Sequence, residues 1–210
     1  MGEPAVLEAQ GIPAGLRPVS PAGHLAERFA AATVTGDRGV SLREVPWVTM
    51  VGLRVRPGSD PAGRIENELG LRLPAGSGQI ATTGRRHVLW LSPDEFLLIA
   101  PDGADTLVTA LRAALADDPG AVVDLSANRT TLELAGRSAR AVLEKGCALD
   151  LHPRVCRPGT AYLTAVGSVP VILWKVTDEA FRLLPRSSFA DFLGRWLIDA
   201  MREFQGTEMP

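Results

Sequence analysis

Few features in this sequence would commit it to a membrane, a nucleic acid or the cell exterior. No apolar run approaches the roughly 20 residues that cross a bilayer, and Met1 to Pro13 lacks a basic start followed by an apolar stretch. The formal charge is -2, so no broad positive field draws phosphate backbones or anionic lipid. The expectation is a cytoplasmic protein with no nucleic-acid and no membrane partner. Two cysteines, Cys147 and Cys156, are too few to staple 210 residues. Their spacing, CALDLHPRVC with His152 between them, offers neither the four close ligands of a structural metal site nor a C-x-x-C redox pair. Two small buried side chains are expected, and no metal.

The motifs of catalysis are also missing. A phosphate-cradling loop needs several glycines between a strand and a helix; Gly76 and Gly78 in LPAGSGQ lack the third glycine and precede a strand. There is no G-x-S-x-G elbow for a serine nucleophile. His24, His87 and His152 are scattered and read as surface residues. The acidic pairs Asp94-Glu95 and Asp178-Glu179 fall in turn-like segments where solvation accounts for them. No catalytic, cofactor-binding or metal-binding residue is assigned.

What the chain does have is apolar material, 46% of its residues, against 22% charged, enough for one substantial core or two small fused ones. Residues 1–39 carry Pro4, Pro13, Pro18 and Pro21 and read as a partly extended N-terminal arm, with a short helix within His24–Ala32 that needs something to pack against. A first α+β half is expected over 40–119. VTMVGLRV reads as a buried strand, and Asp60 and Pro61 as the cap and first turn of a helix ending at Gly70. The runs QIATT, HVLWL and EFLLIA follow as strands, and Leu107, Val108, Leu111 and Leu115 mark a second helix. A second half over 120–210 repeats this order and closes on an amphipathic helix from Ser188 to Phe204. Its apolar stripe is Phe189, Phe192, Leu193, Trp196, Leu197, Ala200, Met201 and Phe204. Asp94-Glu95-Phe96 in one half is echoed by Asp178-Glu179-Ala180-Phe181 in the other. The fold class is therefore α+β: a duplicated unit of antiparallel strands with helices on one face of each sheet, packed as one body.

The segment from Asp124 to Thr130 is the best site candidate. Asp124, Asn128 and Arg129 place a carboxylate, an amide and a guanidinium close together for a polar ligand or a partner. They equally suit a hairpin loop held by local backbone hydrogen bonds. Arg186 in PRSSFA is either an anchor for a carboxylate or a neighbour of a helix cap.

Three segments taken together, LSPDEFLLIAP, DLSANRTTLELAGRSARAVLEKGCALDLHP and RSSFADFLGRWLIDAMREF, resemble the gamma-subunit family of heterotetrameric sarcosine oxidase. More loosely, Gly136 to Lys145 is similar to an element of the folate domain of glycine-cleavage aminomethyltransferase. The resemblance implies a truncated aminomethyltransferase folate-binding fold, used as an accessory subunit beside alpha, beta and delta subunits. It also implies the reaction of the complex: oxidative demethylation of sarcosine to glycine. The one-carbon unit then passes to tetrahydrofolate or leaves as formaldehyde, with hydrogen peroxide formed. FAD, FMN, NAD and tetrahydrofolate are implied for the other subunits and no cofactor for this chain. The alternatives are a free-standing folate-binding or one-carbon-transfer protein, and an assembly protein for another oxidoreductase.

Overall fold

The computed structural model describes residues 19–206. The strand runs that are apolar at consecutive positions, such as Met50-Val51 and Phe96 to Ile99, are buried on both faces, because each sheet lies between a helical layer and a second sheet. The result is four layers, helix on sheet on sheet on helix.

One sheet holds β2 (Thr49–Arg54), β3 (Ile80–Thr83), β4 (Arg86–Ser92), β5 (Glu95–Ala100) and β6 (Ala121–Asp124) in the order β3-β4-β5-β2-β6. Its outer face carries Val51, Leu53, Phe96 and Leu98. These pack on Ile65 and Leu69 of α2 (Asp60–Leu69) and Leu107 and Leu111 of α3 (Ala104–Leu115). The cap of α2 is Ser59 rather than the expected Asp60: Ser59 is extended and its Oγ accepts from the Ala62 N–H, while Asp60 already has helical geometry. Gly70 ends the helix at φ 67°, a left-handed turn that favours glycine.

The other sheet holds β1 (Ser41–Glu44), β7 (Leu132–Ala135), β8 (Thr160–Val166), β9 (Val169–Thr177) and β10 (Ala180–Pro185) in the order β8-β9-β10-β7-β1. Leu132, Leu134, Phe181 and Leu183 on its outer face pack on α1 (Ala26–Ala32), α4 (Ala139–Glu144) and α5 (Ala190–Gln205). Between the sheets Met50, Leu89, Leu97 and Ile99 meet Ala161, Ile172, Trp174 and Leu184. All strand pairs are antiparallel, and the duplicated α+β unit is plain from the matching strand orders.

Two boundaries drawn from sequence do not follow the sheets. A cut at 119/120 assigns β6 to the second half, yet β6 pairs with β2, Val51 opposite Asp124. A start at 40 assigns β1 to the first half, yet β1 pairs with β7, Leu42 opposite Leu134. Each half lends an edge strand to the other's sheet, because an edge strand satisfies its backbone groups wherever a partner edge is free. The arm also needs correction in its described part. Leu25 and Phe29 of the 23–32 helical segment are buried against α5, where a side chain on Gly194 would lie 2.7 Å from Leu25. Residues 1–18 of the expected arm lie outside the described residues. In α5, Leu193, Leu197, Met201 and Phe204 face the core as expected and Trp196 packs over Gly146 and Gly167. Phe189 and Phe192 do not: they are 40% and 55% exposed. Phe189 belongs to a tighter 3-10 turn, Ser187–Phe189, which breaks the helical phase, and Phe192 lies beside the buried stripe.

Candidate functional site

Exchanging edge strands forces the chain to pass twice between sheets. Residues 45–48 carry it from β1 to β2, and residues 125–131 carry it back from β6 to β7. The two crossovers meet: the Val45 N–H donates to the Thr131 carbonyl and the Leu125 N–H donates to the Met50 carbonyl, each at 2.8 Å. Between them lies a cleft of about 160 Å³ whose walls include Trp47, Met50, Ser126, Arg129 and Thr131.

The four residues predicted for a polar site all lie on or beside the longer crossover. Asp124 does not point at either arginine: its Oδ1 accepts from the Ser126 N–H at 2.9 Å and the Ser126 hydroxyl at 2.6 Å, a local turn. Ser126 Oγ in turn accepts from the Met50 N–H, tying the crossover to β2. Asn128 is held through its backbone, its N–H donating to Leu125 and its carbonyl accepting from the Ser187 N–H. Arg129 and Arg186 are brought together, paired as a single antiparallel bridge. Arg129 Nη1 donates to the Leu184 carbonyl at 2.8 Å. Burial, followed by the like charge of Arg186, pushes the Arg129 guanidinium below its ordinary value, and the charge of Glu95 opposes this more weakly.

Several residues at this seam escaped the sequence reading. Glu44 accepts from the Ser20 hydroxyl, the Ala22 N–H and the Thr130 hydroxyl, fastening residues 20–22 to both crossover strands. Trp47 stands at φ 60° and is 56% exposed. The Thr131 hydroxyl is buried with no hydrogen-bond partner among the described residues. Across the inner face of the second sheet, Glu133 accepts from both Arg43 and Arg182, and Arg182 lies over the Trp174 ring at 5.1 Å. Burial pushes the Glu133 carboxyl up, but the hydrogen bonds from Arg182 and Arg43 outweigh it and hold the group below its ordinary value. No local pattern marks these residues, because strand exchange and register alone bring them together.

The remaining polar groups have structural partners. A Cβ on Gly78 would fall 2.6 Å from the Tyr162 ring, and Gly78 bridges to Ala161, so this glycine makes room for an aromatic side chain. His24 shares a 2.7 Å hydrogen bond with Asp191, whose carboxyl is pushed down to about 2 by Arg195 and then His24. His87 packs on Trp174, with burial and then Arg182 lowering its pKa. Burial raises the Cys156 thiol, and the fully buried Lys175 donates to the Cys156 carbonyl at 3.0 Å. Among the described residues no three His, Cys, Asp or Glu are placed to hold a metal ion, and no helix is long and apolar enough to cross a membrane.

The two-sheet architecture defines a class. A similar fold is found in the glycine cleavage system aminomethyltransferase T of Bartonella henselae at a TM-score of 0.59 and 14% identity, over 85% of this chain and 56% of that one. At that identity the likeness is one of fold. The sarcosine oxidase gamma subunit family model matches residues 57–203, and the chain belongs to that family. It is 46% identical over 191 residues to the sarcosine oxidase subunit gamma of Corynebacterium sp. strain U-96, covering 90% of this chain and 93% of that protein. It also matches a chain of the heterotetrameric sarcosine oxidase of Corynebacterium sp. U-96 in complex with pyrrole 2-carboxylate. The TM-score there is 0.88 with 45% identity, over 92% of this chain and 99% of that one.

Proposed function

We propose that this chain is the gamma subunit of a cytoplasmic heterotetrameric sarcosine oxidase and contributes surface rather than chemistry to it. Alpha, beta and delta subunits complete the assembly. FAD, FMN, NAD and tetrahydrofolate are held by those subunits, where sarcosine is demethylated to glycine. The observation that carries this reading is the match over 99% of a chain of a heterotetrameric sarcosine oxidase. The site geometry supports it. Asp124, Glu133 and Asp191 are each engaged by neighbouring donors that fix the fold. The groups left open are arginine and aromatic side chains, the types enriched where proteins meet.

The test is expression with and without the partner subunits. Alone, the chain is expected to be colourless, to consume no oxygen with sarcosine, and to bind tetrahydrofolate weakly or not at all. With the other subunits it is expected to enter a stable yellow complex at fixed stoichiometry. Bound flavin or sarcosine-dependent oxygen uptake by the single chain would overturn the reading.

A further inference from the structure

Arg129 and Arg186 sit side by side, and neither has a carboxylate oxygen within 4.0 Å among the described residues. Arg129 is half-buried with one carbonyl partner, which leaves most of its fork of donors unused. On the wall of the same cleft Thr131 is 3% exposed and its buried hydroxyl has no partner among the described residues, a costly arrangement unless something supplies an acceptor or donor. On the rim, Trp47 is held in left-handed backbone geometry, uncommon for a residue with a side chain, and such strain collects at binding sites. The apolar surface continues past the cleft. The Ser187–Phe189 turn is tied to the crossover by Ser187, whose N–H donates to Asn128 and whose hydroxyl donates to Ala127, so exposed Phe189 lies beside it.

Resting on the subunit reading above, we infer that this cleft receives a carboxylate of a larger subunit, from an Asp or Glu side chain or a chain end, together with one neighbouring apolar side chain. Arg129 and Arg186 bind the carboxylate, the Thr131 hydroxyl completes its hydrogen bonding, and Trp47 covers the apolar group. Size decides for a peptide side chain over a cofactor. The cleft holds about 160 Å³, whereas pockets for drug-sized ligands span roughly 300–1,000 Å³. Charge decides for an acidic group: the half-buried Arg129 and the exposed Arg186 beside it repel one another until an anion bridges them. The exposed tryptophan and phenylalanine beside paired arginines match the aromatic and arginine anchors of protein interfaces.

The experiment compares the parent with the double variant Arg129→Gln, Arg186→Gln, each co-expressed with the partner subunits and each also melted as the isolated chain. The variant is expected to melt within about 3 °C of the parent, since both guanidiniums lie at the edge of the core. Its dissociation constant from the complex should rise at least about thirty-fold, as truncating one side of a desolvated charge pair does. Arg129→Lys, which keeps the charge and loses the fork, should fall between them. A photo-crosslinking residue at position 47 should capture a peptide of a larger subunit containing Asp, Glu or a free chain end. Assembly of the variant with unchanged affinity, or capture of residues 1–18 of the same chain, would overturn the inference while leaving the subunit reading standing. Failure of the parent itself to assemble would remove both.

Discussion

The two crossovers between the sheets are equivalent in topology and unlike in construction. The one at 45–48 is four residues long and bends by placing Trp47 in a left-handed conformation. The one at 125–131 is longer, and it bends through ordinary turns fixed by Asp124, Ser126 and Asn128. Length accounts for the difference, since a short connection between two layers has too few dihedral angles to turn without one unfavourable residue, and a longer one spreads the bend. A short strained crossover presents an aromatic side chain, and a long relaxed one presents arginine. The cleft needs both.

The sheets differ in the same spirit. At matching places opposite the buried phenylalanines, the first sheet has Trp90 across from Phe96 and the second has Lys175 across from Phe181. The second sheet also carries the Arg43–Glu133–Arg182 row on its inner face. The largely buried Glu133 carboxylate and the buried Lys175 ammonium group thus both lie in the second sheet.

The strongest way to break the equivalence is to truncate one matched core residue in each half. Phe96→Ala and Phe181→Ala each remove a fully buried ring and are expected to cost about 3–5 kcal/mol. Because the halves exchange edge strands, both variants should show one melting transition shifted to lower temperature. Two transitions in calorimetry, only one of them moved, would show that the halves melt independently.

A smaller effect sharpens the contrast between the sheets. Glu133→Gln leaves Arg43 and Arg182 without their shared acceptor charge and should destabilise the protein by about 1.5–3 kcal/mol at neutral pH. The folded-state pKa of Glu133 is depressed, so its contribution is present above the unfolded glutamate value of about 4.3 and is lost as pH falls through the folded value. The gap between parent and variant should therefore close in acid. A gap that stayed constant in denaturant titrations from pH 7 to pH 3 would show that charge at Glu133 is not what matters.

The smallest expected change concerns the short crossover. Trp47→Gly removes a side chain that is mostly solvent-exposed and supplies the residue suited to φ 60°. Stability should stay within about 1 kcal/mol of the parent, relief of strain offsetting the lost contacts. A clear fall in melting temperature would mean that the indole is a structural prop for the seam.

Much of the fold was legible because it is written in local periodicity. Continuous apolar runs gave the doubly buried strands β2, β5 and β9, spacing of three and four gave α2, α3 and α5, and Gly70 gave the end of α2. The echo of Asp94-Glu95-Phe96 in Asp178-Glu179-Ala180-Phe181 announced the duplication, and the three family segments announced the kinship. Phe189 was misplaced because a 3-10 turn resets helical phase without leaving a mark in the spacing of apolar residues, and Phe192 because it lies at the edge of the stripe that α5 buries.

Strand exchange was not legible. A strand of four residues carries the same alternation whether it pairs within its own half or across to the other, so nothing local assigns β1 or β6 to a sheet, and β1 was not foreseen as a strand. Everything at the seam depends on that assignment: Glu44 reaching Ser20 and Thr130, Arg43 and Arg182 converging on Glu133, Trp47 standing over the cleft that Arg129 lines. The sequence by itself determined most of the strands and helices and which family the chain resembles, since both are carried by runs of neighbouring residues. Only the tertiary structure decided which strands pair, because hydrogen bonds between edge strands join backbone groups that carry no record of their partner.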